Sequence, residues 1–356
     1  MNYRFVAFAV ALAMSLTYVG SSFSRTMTSP YVVSGFSPTV TWSGQARSAA
    51  GKPQALLRTP DGQPDLQGIW TNSTITPLER PRELAGKEFF TEKEAAEYER
   101  EARERNNGDR RDSNAEADLT VGYNDVWWDR GTRVVSTRRT SIIVDPPDGR
   151  VPPLTPDAQK KEAARAEARR LHPADGPEDR SLDDRCIVRR NAGPPMLPAG
   201  YNNNYQILQT PEYVVILIEM IHDVRLIPLK ARPHLPAQVH QWLGDSVGHW
   251  EGNALVVDTT NFTDKTNFRG SGEHLRVTER FTRVDESTLL YQFTVDDPQS
   301  FTRPWSGEIP MKKVEGPVFE YACHEGNRSM ENILSAARAE EKAVPEAQKG
   351  RARVEK

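Results

Sequence analysis

The sequence predicts a mainly β fold: an antiparallel up-and-down barrel, or a sandwich, with a few peripheral helices. Three observations predict it. β-Branched and aromatic runs recur at short spacing from Tyr205 onward, and turn residues separate them. Leu289, Tyr291, Phe293 and Val295 alternate with Leu290, Gln292, Thr294 and Asp296, the period-two pattern of a strand with one buried face. Short strands joined in sequence make a meander, and closing it removes exposed edges.

The N-terminus orders basic Arg4, an apolar run from Phe5 to Val19, and the small residues Gly20, Ser21 and Ser22. That order predicts a cleavable export signal over residues 1–24 and a periplasmic or secreted protein. A membrane-spanning helix needs roughly 20 apolar residues. The run is shorter and no later stretch approaches it, so no stable membrane span is expected after cleavage. Residues 25–64 lack periodicity and read as a flexible lead-in. A single barrel domain follows over 65–340, with a helical insertion at about 77–203 and a charged tail at 341–356.

Within that domain, Asp65 to Thr71 opens the first strand. Thr91 with Glu94 has capping-box form and starts a helix running to about Asn106. Thr140 to Val144 reads as a short strand closed by a turn at Pro146-Pro147-Asp148-Gly149. Thr155 and Pro156 start a second helix, to Arg170, whose weak apolar stripe makes it a surface helix. Strands are then expected at Tyr205–Gln209, Tyr213–Met220, Val224–Leu229, Gly248–Trp250, Ala254–Thr260, Leu275–Val284, Thr288–Val295, Trp305–Lys312 and Pro317–Cys323. A last helix begins near Asn327 or Ser329.

The formal net charge of −3 gives no large electrostatic bias, so nucleic acid, which calls for a basic face or stripe, is not expected as a partner. Cys186 and Cys323, in an exported chain, read as a disulfide, with free thiols the other reading. Across so long a loop a bridge stabilises by about 3–5 kcal/mol in the chain-entropy model.

Three clusters could carry chemistry. An apolar strand runs directly into Glu219, His222, Asp223 and Arg225. Burying such charges unpaired costs several kcal/mol, so they pair, reach water or line a polar cavity. Glu219, Asp223 and Arg225 share one parity, and His222 has the other unless a turn resets it. A hairpin tip with a surface ion pair is the structural alternative.

The second cluster holds His240, Trp242, Asp245, His249, Trp250 and Glu251. A Trp face suits sugar rings or apolar ligands, and Asp245 beside Trp242 could orient hydroxyls. Alternatively, the tryptophans plug a barrel end. The third cluster, Cys323, His324, Glu325 and Asn327, offers acid/base groups, or a helix cap with a bridged cysteine. Glu279 shares parity with Val277 and Phe281, which points it inward, where it needs a partner such as Arg225. Tyr291 lies on the alternating face of its strand.

Gly68-Ile69-Trp70 resembles the G-x-W opening of the lipocalin-like (calycin) barrels, a resemblance that implies a Trp closing one barrel end. The insertion between Pro77 and Asn203 is longer than that family carries. Pro64 to Trp70, Val144 to Arg150 and Trp250 to Thr259 also resemble a large family of secreted soil-bacterial proteins. That resemblance implies export and the barrel, and carries over no catalytic residue.

These features lead to the expectation of an exported, cofactor-independent acid/base enzyme of lyase, isomerase or hydrolase type. Its small organic or carbohydrate-like substrate would sit in a polar, Trp-lined barrel cavity. His222 would act as acid or base, Asp223 or Glu219 would orient it, and Arg225 would stabilise a developing anion. Trp242, Asp245, Glu279, Tyr291, His324 and Glu325 would bind substrate. No nucleotide, nicotinamide or zinc-protease motif is present, and the histidines lack metal-ligand spacing. No cofactor or metal is therefore expected. A non-catalytic lipocalin-like carrier of a small ligand and an envelope interaction protein are the alternatives.

Overall fold

The computed structural model describes residues 57–110, 124–189, 192–230, 232–324 and 326–354. The expected signal at 1–24, most of the lead-in at 25–64 and Glu325 lie outside the described residues.

Nine strands form one antiparallel sheet that nearly closes into a barrel. They are β1 (Gly68–Thr71), β3 (Asn204–Gln209), β4 (Tyr213–Ile218), β5 (Asp223–Pro228), β6 (Asp245–Glu251), β7 (Ala254–Thr260), β8 (Arg276–Arg283), β9 (Thr288–Asp296) and β10 (Trp305–Val314). Their order is β5-β4-β3-β1-β10-β9-β8-β7-β6. A short β2 (Ile143–Asp145) pairs with Ser306 and Gly307 on the stretch of β10 that four-residue β1 does not reach. No ladder joins β5 to β6. Side chains close that seam, with Arg225 Nη2 of β5 donating to Ser246 Oγ of β6 at 3.2 Å.

Strand parity decides what fills the interior. Ile216 on β4, Ile227 on β5, Val257 on β7, Phe281 on β8 and Phe293 on β9 are all fully buried. One end is closed by Trp70, whose Nε1 donates to Leu66 O at 2.9 Å and whose ring lies 5.5 Å from the Arg283 guanidinium. Towards the other end Trp305 stacks on Phe268 and meets Phe293 and Phe301 edge-on, at centroid distances of 5.8–6.2 Å.

The helices are α1 (Glu92–Arg105), α2 (Pro156–Leu171) and α3 (Ser329–Val354). The expected capping box starts α1, with Glu94 N donating to Thr91 Oγ1 at 3.3 Å and Thr91 N to Glu94 Oε2 at 2.9 Å. Cys186 and Cys323 are joined in a disulfide 137 residues apart.

Two expectations are corrected. Pro317–Cys323 is not a strand: β10 is already paired on both sides, by β9 and by β1 with β2, and the disulfide draws the segment away as an irregular strap. The Tyr213 strand stops at Ile218, because Met220–His222 forms a 3-10 turn with Ile221 and His222 at φ 66° and 57°.

Candidate functional site

The turn at Met220–His222 disperses the Glu219, His222, Asp223, Arg225 quartet. Glu219 is buried and its carboxylate accepts from Asn204 N and Phe319 N, both at 3.2 Å, clamping strap to hairpin. His222 is exposed, and its ring has no side-chain partner among the described residues. Asp223 Oδ1 accepts from Val224 N at 2.7 Å. Arg225 alone enters the barrel. There it meets Glu279 through two hydrogen bonds of 3.0 and 2.5 Å.

Tyr291 completes that interior network, donating to Glu279 Oε1 at 2.9 Å and accepting from Met196 N at 2.8 Å. Burial, and then the negative charge of Glu279, push the Tyr291 phenol well above its ordinary pKa, so it is a neutral donor. The Arg225, Glu279 and Tyr291 side chains are buried, and the Tyr291 ring packs against Phe281 and Phe293 at centroid distances of 5.1 and 5.7 Å. None of the three lines the ligand-sized cleft described below.

Asp245 is likewise committed. It accepts from Arg232 Nη2 at 2.8 Å and Leu235 N at 3.1 Å, and lies 2.9 Å from His234 Nδ1. It thereby staples the 232–235 loop to the start of β6. His324 is exposed. Asn327 Oδ1 accepts from Ser329 N at 3.0 Å, but Arg328, whose carbonyl accepts from Asn332 N at 2.9 Å, stands at the cap position, so Asn327 precedes the helix rather than capping it.

Among the described residues, Trp242 is the one expected binding residue that lines that ligand-sized space. It borders a cleft of about 610 Å³ at the Trp305 end of the barrel, between α2, residues 178–189 with Gly193 and Pro194, and the 262–268 loop. Volumes of roughly 300–1,000 Å³ are usual for small-molecule sites. Phe262, Phe268 and Leu275 are core side chains behind its lining, all but closed to solvent, and Trp242 and Leu243 are its partly exposed apolar residues.

Local chemistry builds the walls. Thr155 Oγ1 accepts from Ala158 N at 3.2 Å, capping α2 one residue before Pro156. Arg165 then ties α2 to the facing loop, donating to Asn267 Oδ1 at 2.8 Å and Asp264 O at 3.3 Å, and to Glu162 at 2.8 Å. On the other wall Arg185 pairs with Glu178 at 3.4 Å and Arg189 with Asp183 at 3.1 Å. Thr266 Oγ1 donates to Trp242 O at 2.8 Å and holds the tryptophan backbone at the rim.

Arg189 links the cleft to a second polar group. Its Nη1 donates to Tyr201 Oη at 2.5 Å and approaches Met220 Sδ at 3.6 Å. Burial, then Tyr201, raise the Tyr321 phenol beside it. Partial burial and then the charge on Glu219 raise the carboxyl of nearby Asp129.

Arg165, Arg169 and Arg189 belong to a dense run of Arg and acidic residues between Glu162 and Arg189, which on its own describes a solvated helix face, and Tyr201 and Lys265 carry no signal in the sequence at all. No protein-family model, curated protein or solved structure matches this chain. Fold and site together define an antiparallel β-barrel with a packed interior and a charged, ligand-sized cleft at one end.

Proposed function

We propose that this is an exported small-ligand-binding protein that holds a small organic or carbohydrate-like molecule in the cleft beside Trp242. One observation carries the reading: the cleft combines ligand-scale volume, the partly exposed Trp242 ring and walls of paired polar side chains. Paired side chains are already oriented, so binding orders little that is not ordered before. The signal-like N-terminus and the disulfide support export. The acid/base reading centred on His222 draws no support from a quartet dispersed between surface, turn and barrel interior.

A small-molecule library screened by thermal shift tests the proposal, with Ala168→Trp as the cleft-filling control. Ala168 lines the cleft and is exposed on α2. Ligands are expected to stabilise the parent protein and not the variant. Hits that stabilise both equally would place binding elsewhere.

A further inference from the structure

Resting on that proposal, we infer that the cleft is catalytic as well as binding: His172, oriented by Asp175, is the general base that hydrolyses a small neutral carboxylic ester held beside Trp242. His172 ends α2, its backbone N donating to Ala168 O at 2.8 Å, and its side chain lines the cleft. Its Nδ1 lies 2.6 Å from Asp175 Oδ2, and Asp175 does not line the cleft. A carboxylate at Nδ1 keeps the proton on that nitrogen and leaves Nε2 as the lone-pair acceptor. Among the described residues Nε2 has no partner.

The segment that carries the orienting carboxylate is gripped from two sides. Arg338 of α3 donates from Nη1 to Asp175 O at 2.9 Å and from Nη2 to Ala174 O at 3.0 Å. Arg180 Nη1 donates to Pro173 O at 3.0 Å. Arg169, three residues before His172, lines the same cleft, as neighbours at that spacing on one helix face can. Among lining side chains without an ionic partner, Arg169 and Lys265 are matched by Asp179 and Asp264, so a neutral substrate suits the cleft.

No hydroxyl side chain among the described residues hydrogen-bonds Nε2, so water is the nucleophile. Nε2 takes a proton from that water as its oxygen bonds to the acyl carbon, and Arg169 donates to the oxyanion that forms. Collapse breaks the bond to the alkoxy oxygen, which receives the proton from Nε2. One water is consumed, an acid and an alcohol leave, and the imidazole is neutral again.

The probe is p-nitrophenyl acetate, with saturation kinetics followed by nitrophenol release. His172→Gln is expected to lower kcat by at least about 100-fold at unchanged KM, the lower end of what a positioned base contributes. Asp175→Asn should lower kcat less, and Trp242→Ala should raise KM. The parent's kcat should rise with pH as the imidazole loses its proton, and that rise should vanish in His172→Gln. The charged groups about the ring are Asp175, Arg169, Asp179, Arg180 and Arg338 with Glu341, none of them an imidazole. His249→Gln is the control, because His249 and Glu251, 3.1 Å apart, form an exposed pair outside the cleft. His172 and Asp175 are exposed, so their variants should keep the parent's melting temperature, which is checked first.

No turnover above buffer, a loss in His172→Gln no larger than in His249→Gln, or a kcat that falls with rising pH overturns the general base and leaves the cleft as a binding site. Turnover that survives Ala168→Trp also overturns it, by placing the chemistry elsewhere. The binding reading itself fails only if ligands found by thermal shift stabilise Ala168→Trp as they do the parent.

Discussion

Arg225 of β5 and Glu279 of β8 form a buried, two-hydrogen-bond ion pair inside the barrel, where neither side chain reaches solvent. Ser246 and Tyr291 occupy further hydrogen-bonding positions around it, at 3.2 and 2.9 Å. Taking two charges out of water is expensive, and their mutual attraction offsets the cost only while both are present. Glu279→Leu leaves Arg225 charged and uncompensated and should cost about 3–5 kcal/mol. The double variant Arg225→Met/Glu279→Leu should recover much of that loss. Urea unfolding of the three proteins measures it, and a double variant no more stable than the single one would show that the charge is not what matters.

This pair also shows what could be read in advance. The period of two along β8 places Glu279 with Val277 and Phe281, and burial then demands a cation; Arg225 is where the structure provides one. His222 was not legible in the same way, because positive φ at Ile221 and His222 breaks the strand period that parity depends on. The cleft was illegible for another reason. Its walls come from residues 162–189, Gly193, Pro194 and 242–275, brought together by contacts such as Arg165 to Asn267 that leave no periodic trace.

Asp245 gives the stability a pH dependence of known sign. Burial alone would raise its carboxyl, but the Arg232 guanidinium, the Leu235 N–H and His234 outweigh burial and hold it below the ordinary value. A depressed folded-state pKa stabilises the fold above the unfolded-chain value of about 3.9. That stabilisation is lost as pH falls through the folded value. Asp245→Asn should therefore cost about 1–3 kcal/mol at neutral pH. The difference from the parent should narrow only below about pH 4 in denaturant titrations. A pH-independent difference would mean that the asparagine perturbs packing rather than charge.

The disulfide tethers the strap whose Phe319 N–H satisfies Glu219. For cysteines 137 residues apart, the chain-entropy model assigns the bridge about 5 kcal/mol through restriction of the unfolded chain. Cys186→Ser/Cys323→Ser should lose a comparable amount, and the parent in reductant should match the variant. Protease cleavage within 317–324 should accelerate in both, because the strap has no sheet ladder to hold it. Unchanged stability and cleavage on reduction would show that other contacts fix the strap.

The seam between β5 and β6 is held by close approach rather than by a ladder, and Gly248 makes that approach possible. A Cβ at Gly248 would lie 2.8 Å from Ile227 Cγ2, 3.1 Å from Leu229 Cδ2 and 3.4 Å from Leu255 Cδ1. The first distance is shorter than real side chains tolerate, so Gly248→Ala must push Ile227, and with it β5, away from β6. Such overpacking typically costs about 1–3 kcal/mol. The displacement also lengthens the Arg225 to Ser246 hydrogen bond across the same seam. Ile227→Ala removes the obstructing methyl and by itself opens a cavity costing about 2–5 kcal/mol. If the contact is the cause, the two changes should compensate, and the double variant should lose less than the sum of the singles in urea unfolding. Strict additivity would mean that the strain at Gly248 is relieved elsewhere and that Ile227 does not set the spacing of the seam.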